Sequence, residues 1–313
     1  MTRDLLITGA SGFIGRHVMR AALALPGLRI RLVRHTTAPR TPPGHRVRTV
    51  HADLRDPASL HGLCAGTDTV LHCASLIHGS EADLHAVNDT GTRALAADAL
   101  RHGVRRLVYI STAAVYGPGP FHHAHPHTLT PHPHSPTSRT RAAAETHILA
   151  AGGTVLRPHL VYGNGDRWVI PALATLLTTL NATITCTALH SAIDAPTLAT
   201  AALTTALHPH HLPGTWHLNH PQPVTATDLM TTTLTQLHPH PTPHNRLTPQ
   251  EARTRLHNNP TATHHLNMLT TDHWFASEPI WHHLNLDPGP HPITTLTHHT
   301  PWYRQHLNPP PTH

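Results

Sequence analysis

The feature that most constrains this chain is nine residues long: Ile7-Thr8-Gly9-Ala10-Ser11-Gly12-Phe13-Ile14-Gly15. An apolar run, Leu5-Leu6-Ile7, leads into it, and a helical stretch from Phe13 to Leu25 leaves it, stopped by Pro26-Gly27. Glycines spaced G-x-x-G-x-x-G between a strand and a helix serve three purposes. Gly9 allows a tight turn at the strand end, Gly12 lets backbone approach a pyrophosphate, and Gly15 lets the helix pack close on the sheet. The first helical turn then presents unpaired N–H groups to the phosphates. Three glycines alone specify only a turn. With a strand before and a helix after, they specify a dinucleotide-binding loop.

The rest of the first half extends this unit. Arg29 to Val33, Val47 to His51, Thr69 to Cys73, Leu107 to Ile110 and Val155 to Leu160 read as strands. Ala86 to Leu100 and Ala142 to Ala151 read as the helices between them, and Asp56-Pro57 as a cap and first turn. Strands joined by crossover helices build a parallel sheet. The expected fold is therefore α/β, a doubly wound parallel sheet of the Rossmann type over residues 1–163. A smaller C-terminal substrate domain follows over residues 164–313, with 189–220 returning to the sheet. Its helices are expected at Ile170 to Leu180, Pro196 to Leu207 and Asp228 to Leu237. The proline-rich runs His122 to His134 and Leu237 to His244 are expected to be loops, and Asn308 to His313 a frayed end.

Composition narrows the function. The chain of 313 residues carries a formal charge of +6 with a sequence pI near 10.0, which by itself would admit a nucleic-acid partner. Its 22 basic residues are all arginine and are scattered, aromatic residues make up only 4%, and no basic face is apparent, so no nucleic acid is expected. No apolar run reaches the ~18 residues of a membrane span and no leader precedes the first strand, so a cytoplasmic protein without a membrane partner is expected. Cys64, Cys73 and Cys186 form no CxxC pair and read as reduced thiols. The 37 histidines include the cluster His122, His123, His125 and His127. No cysteine is near them and prolines interrupt them, so this run is read as a flexible loop and no metal site is expected.

Five further segments, in order, carry a resemblance. Ala52-Asp53-Leu54-Arg55-Asp56, His72-Cys73-Ala74-Ser75, Val87-Asn88-Asp89-Thr90-Gly91-Thr92, Tyr109 to Gly117 and Leu156 to Gly163 follow the glycine loop at suitable spacings. Over residues 4 to 220 the chain resembles the short-chain dehydrogenases/reductases, in particular their extended and atypical branches. The resemblance implies a nicotinamide cofactor held by Gly9, Ser11, Gly12, Phe13, Ile14 and Gly15. It implies further contacts from Asp53 and Leu54 at the adenine, from Cys73, Ala74 and Ser75 along the adenosine, and from Asn88, Ile110, Arg141 and Pro158.

The end of the second strand bears on which nicotinamide. A carboxylate there holds the ribose 2′-OH of NAD, whereas arginines accommodate a 2′-phosphate. Here the strand ends Leu32-Val33-Arg34-His35 with no acid before Asp53, and Arg16 and Arg40 are nearby in sequence. NADP(H) is the expected cofactor.

The family's Tyr-x-x-x-Lys is missing. The register set by Ala142-Ala143-Ala144-Glu145 places Thr137 at the tyrosine position and Arg141 at the lysine position, and the chain contains no lysine to restore the motif by a slip. A threonine hydroxyl has a pKa far above the ~10 of tyrosine and is a poor acid. A guanidinium is a fixed charge rather than a proton shuttle. Thr112 stands at the Ser/Thr position and can hydrogen-bond a developing oxyanion. Tyr116, Tyr162 or a histidine of the His122–His134 run are other candidate acids. The pattern resembles atypical reductases of antibiotic biosynthesis that lack the pair. It implies an NADPH-dependent ketoreductase, monomeric or homodimeric, acting on a bulky polycyclic ketone with the proton from substrate or water. A catalytically inactive dinucleotide sensor and a nucleotide-sugar epimerase or dehydratase are the alternatives.

Overall fold

The computed structural model describes residues 3–37, 46–237 and 245–307. Arg40, the His-Pro repeat after Leu237 and the tail from Asn308 lie outside the described residues. Along the chain the first elements are β1 (Arg3–Thr8), α1 (Phe13–Ala24), β2 (Leu28–Arg34), β3 (Val47–His51) and β4 (Thr69–His72). Next, α2 (Glu81–Leu84) runs through a π-helical segment, His85–Thr90, into α3 (Gly91–Arg101). After them come β5 (Arg106–Ile110), β6 (Phe121–Ala124), α4 (Pro136–Ala150), β7 (Thr154–Arg157) and β8 (Leu160–Tyr162). The later part holds α5 (Val169–Leu180), β9 (Thr183–Ile184), β10 (Leu189–His190), β11 (Ala192–Asp194), α6 (Ala195–Leu207), β12 (Gly214–His217) and β13 (Val224–Thr225). The last elements are α7 (Ala226–Leu237), β14 (Arg246–Leu247), α8 (Pro249–Arg255), α9 (Pro260–Leu269), β15 (His273–Phe275), α10 (Glu278–Leu284), α11 (Pro292–His298) and α12 (Thr300–Leu307).

Seven strands form one parallel sheet in the order β12-β7-β5-β4-β1-β2-β3. The chain steps outward from β1 in one direction through β2 and β3, then restarts on the other side at β4. That reversal opens a crevice at the carboxyl ends of β1 and β4, where an open α/β sheet places its ligands. One face is covered by α1 and α6, with Val18, Ala22, Leu198 and Ala202 fully buried, and the other by α3 and α4, with Leu95 and Ile148 fully buried. The sheet is thus doubly wound. A second apolar cluster gathers α5, α7 and α9 around Leu177, Met230 and Leu266.

Several boundaries differ from the sequence expectation, each for a local reason. Helix α4 starts at Pro136 rather than Ala142: the Ser135 and Ser138 side chains cap each other's backbone N–H and proline occupies the first turn. The helix expected from Ala86 starts at Glu81, where the Ser80 hydroxyl accepts from Asp83 N–H at 3.1 Å. The strand expected from Val155 to Leu160 breaks at Pro158-His159. Arg157 ends β7 in the large sheet, and Leu160 begins β8, which pairs with β11 instead. The His122–His134 run is not all loop, because β6 pairs in parallel with β15, about 150 residues later in the sequence, and Phe121 packs on Phe275. Within 189–220, β12 closes the edge of the large sheet and α6 packs against α1, whereas β10 pairs with β13 and β15.

Candidate active site

The crevice opens into a cavity of about 710 Å³, within the range that holds a small-molecule ligand or cofactor. Gly9 turns the chain out of β1 with φ +67°, and a side chain there would strike the Ala74 and Cys73 backbone. Gly12 is the N-cap of α1 and lines the cavity with Ser11, Phe13 and Ile14. Gly15 does not line it: a Cβ on Gly15 would sit 2.0 Å from Gly9 O, so this glycine sets how closely α1 approaches the loop.

At one end of the cavity Asp53 and Leu54 stand with two residues that sequence reasoning passed over, His35 and Arg55. Asp53 accepts from Arg55 through Nε and Nη2 and lies 3.0 Å from His35 Nε2. Burial works to raise the Asp53 carboxyl, but the Arg55 bonds and His35 outweigh it and hold the pKa below the ordinary carboxylate range. Arg34 ends β2 exposed and outside the cavity lining. Arg16 also lies outside: its Nε donates to Gly12 O at 3.1 Å and its guanidinium lies against Gly165. The cationic groups at this end are therefore Arg55 and His35 rather than Arg34 and Arg16, because a residue at a strand end points by its parity and a helical residue by its turn.

Along the middle run Cys73, Ala74 and Ser75. Burial pushes the Cys73 thiol up to about 12, so it stays protonated. Asn88 does not reach the cavity. It is buried in the π-helical segment and clamps the Ser75–Leu76 wall, accepting from Leu76 N–H at 2.8 Å and donating to Leu76 O at 2.8 Å and to Thr140 at 3.0 Å.

At the far end Ile110, Ser111, Thr112, Arg141, Pro158 and His159 form the wall. The Thr112 hydroxyl accepts from Ala114 N–H at 3.1 Å, which leaves its own proton free to donate. Ser111 Oγ and Arg141 Nε are buried polar atoms without a partner, and such atoms are uncommon unless something else occupies the site. Arg141 Nη2 donates to Ile110 O at 2.6 Å, which fixes the guanidinium at this wall. Thr137, one turn earlier on α4, is not on the cavity surface, and its hydroxyl donates to Ile77 O at 3.1 Å.

The two tyrosines considered as acids are engaged elsewhere. Tyr116 is buried away from the cavity, with its hydroxyl 2.6 Å from Arg157 Nη1 and 2.7 Å from His217 Nε2. Burial raises its pKa although Arg157 opposes the shift. Arg157 in turn pairs with Glu145 in the interior. Tyr162 donates to Pro292 O at 2.8 Å and meets Thr295 Oγ1 at 2.5 Å. In the His122–His134 run, His122 and His123 pair with Asp272 and Glu278. None of these histidines lines the cavity. Apolar side chains cover the mouth instead: Leu76, Ile77 and Val87 on one side, and Trp168 and Val169 on the other, with Trp168 against His78 at 4.4 Å between ring centroids. Neither Ile77 nor Trp168 belongs to a motif, so only folding reveals them.

Among the described residues no helix is long and apolar enough to cross a membrane. In comparisons with known proteins, residues 5–192 match the NAD dependent epimerase/dehydratase family. The chain is 30% identical over 179 residues to the 4-hydroxy-2-methyl-3-oxo-4-farnesyl-3,4-dihydroquinoline-1-oxide ketoreductase of Stigmatella aurantiaca, covering 53% of each chain. It is 30% identical over 187 residues to the 2-alkyl-3-oxoalkanoate reductase of Stenotrophomonas maltophilia, covering 54% of each. The matches thus span about half the length of these curated relatives. Solved structures match over nearly the full length: WbmH of Bordetella bronchiseptica in complex with NAD+ at TM-score 0.76 and 18% identity, covering 98% of this chain and 100% of that one. The dTDP-glucose 4,6-dehydratase DesIV of Streptomyces venezuelae with NAD and TYD bound matches at TM-score 0.74 and 21% identity, covering 96% and 97%. With its seven-stranded parallel sheet, its glycine loop at the strand reversal and a family match over more than half its length, the chain belongs to the NAD dependent epimerase/dehydratase family, among the extended short-chain dehydrogenases/reductases.

Proposed function

We propose that this chain is an NADPH-dependent ketoreductase acting on a bulky aromatic ketone of the polyketide kind made in antibiotic biosynthesis, such as an angucyclinone. The observation that carries this reading is the far wall of the cavity. It presents the Thr112 hydroxyl and a fixed Arg141, while Thr137 is turned onto the Ile77 carbonyl. Such a wall can hold a carbonyl oxygen as charge develops on it, and burial lowers the pKa of its imidazole, His159, well below the ordinary value, so that ring is neutral near pH 7. The apolar mouth of Leu76, Ile77 and Trp168 suits a flat, hydrophobic substrate. Two ketoreductive relatives at 30% identity point the same way.

The cofactor fits the residues present. Gly12 leaves a cradle open at the helix N-terminus, Ser111 and Arg141 hold unpaired polar atoms toward the far end, and Arg55, paired with Asp53, and His35 offer basic side chains to a 2′-phosphate. The nicotinamide supplies a hydride when bound. Thr112 would orient the ketone by a hydrogen bond, Arg141 would hold the ribose end by charge and N–H donation, and Trp168 and Ile77 would exclude water. The missing proton is taken from the substrate or from water.

A pair of ketones tests this: 8-hydroxy-1-tetralone, whose phenol lies beside the carbonyl, and 1-tetralone, which lacks it. NADPH oxidation should be faster with the first by an order of magnitude or more, with the cofactor's hydride found on the alcohol carbon. Equal rates would remove the substrate-borne proton. A second reading, sugar-nucleotide epimerase or dehydratase, is favoured by the near-complete structural overlap with DesIV. Turnover of dTDP-glucose with neither ketone reduced would replace the proposal by that reading.

A further inference from the structure

Three histidines from distant parts of the chain meet behind the far wall of the cavity: His159 after β7, His190 on β10 and His273 on β15. One ring nitrogen from each lies within 4.8 Å of the other two. The ring centroids are 5.0, 5.9 and 6.2 Å apart, and the rings lie nearly parallel, within 12°.

The hydrogen bonds supply an independent observation. His190 Nε2 lies 3.0 Å from Leu269 O and His273 Nδ1 lies 2.8 Å from Thr271 O. A carbonyl only accepts, so each of these nitrogens carries the ring proton, and the other nitrogen of each ring is left with a lone pair. Those other nitrogens, His190 Nδ1 and His273 Nε2, are buried and have no hydrogen-bond partner. The Pro118 carbonyl also lies against the His273 ring. Metal-bound histidines show the same pattern, one nitrogen on a backbone carbonyl and the other on the ion. His159 makes its backbone bond to Asn219 at 2.7 Å and offers its ring to the cluster from the cavity side.

We propose that His159, His190 and His273 form a binding site for a divalent transition metal, Zn²⁺ first, with one coordination position left for water. Imidazoles without carboxylates favour Zn²⁺, Co²⁺ or Ni²⁺ over Ca²⁺ or Mg²⁺. Closing the nitrogens from 4.8 Å to the ~3.3 Å spacing of a tetrahedral set at ~2.0–2.1 Å requires each to move by less than about 1 Å. The ion would join β10 and β15 to the wall that carries Pro158 and Thr112. No metal site was expected from the sequence, where the run His122 to His127 has no cysteine near it and is interrupted by proline, and the three histidines that meet here lie outside that run.

The test uses the full-length protein, stripped with a chelator and titrated with Co²⁺. One equivalent should produce the visible d–d band of a four-coordinate site, bleached by Zn²⁺. His273→Gln should lose that band, whereas His123→Ala and His125→Ala, in the exposed run, should keep it. If His273→Gln does not fold, X-ray absorption of the Zn²⁺-loaded wild type decides, with three imidazoles at the metal expected. No band in the wild type, a band lost only in the exposed-run variants, or fewer than three imidazoles would overturn the site.

Discussion

Replacing Gly15 and Gly12 by alanine separates two roles within one loop. A Cβ on Gly15 would lie 2.0 Å from Gly9 O and 2.6 Å from Gly9 C, whereas ordinary contact begins near 3.4 Å. Relief requires α1 to move by about 1.4 Å from the loop. That helix is locked against α6, with Val18 and Ala22 fully buried, and close-packed interiors resist such a shift. The cost should lie near the upper end of the ~1–3 kcal/mol typical of overpacking. For a chain of this size that is a fall of about 6 °C in Tm, taking ~2 °C per kcal/mol. At Gly12 the new Cβ would meet only Gly9 O, at 3.1 Å, and φ is −74°, so the cofactor-free protein should melt within about 2 °C of wild type. Its methyl would instead stand where backbone must approach the pyrophosphate, and NADPH affinity should fall at least ~10-fold. Thermal melts by circular dichroism and nicotinamide fluorescence titrations measure the two effects. A Gly15→Ala protein that melts like wild type, or a Gly12→Ala protein that binds NADPH normally, would refute the reasoning.

Arg55→Ala should weaken NADPH about 10-fold while leaving NADH nearly unchanged, read by paired calorimetric titrations; equal losses would remove Arg55 from the 2′-phosphate. Thr112→Ala should lower kcat by ~10²-fold, while Thr137→Ala and Tyr116→Phe retain most activity, because of these three only Thr112 lines the cavity. An inactive Thr137→Ala would show that its hydroxyl is a true catalyst. Glu145→Ala leaves the buried Arg157 guanidinium without its carboxylate and should destabilise by about 3–5 kcal/mol, measured from urea midpoints. Acid should destabilise the fold through His72 and His217, whose pKa burial lowers to about 3. The unfolded chain titrates near ~6.5 and binds more protons below that pH, so this stability is full above ~6.5 and is lost as pH falls toward 3. From pH 7 to 5 each histidine should contribute about 2 kcal/mol of loss, and His72→Gln should flatten the pH dependence of the urea midpoint; an unchanged slope would count against it.

The sequence by itself determined the parallel sheet, the position of the glycine loop and the absence of a Tyr-x-x-x-Lys. Those depend on local properties: strand and helix periodicity, three glycines at fixed spacing, and a chain with no lysine. Local capping also explains why α4 could be extended back to Pro136 once Ser135 and Ser138 are read as a reciprocal cap. The tertiary structure decided which way side chains point and what meets across the chain. Arg16 follows the loop and Arg34 ends β2, yet helix phase and strand parity turn them away while Arg55 and His35 line the cavity. Tyr116 ends a motif but is held by Arg157 and His217, residues 41 and 101 positions away. The pairing of β6 with β15 and the meeting of His159, His190 and His273 join segments from 31 to 152 residues apart. No window of sequence encodes such contacts, because they exist only once separate elements have packed on a common core.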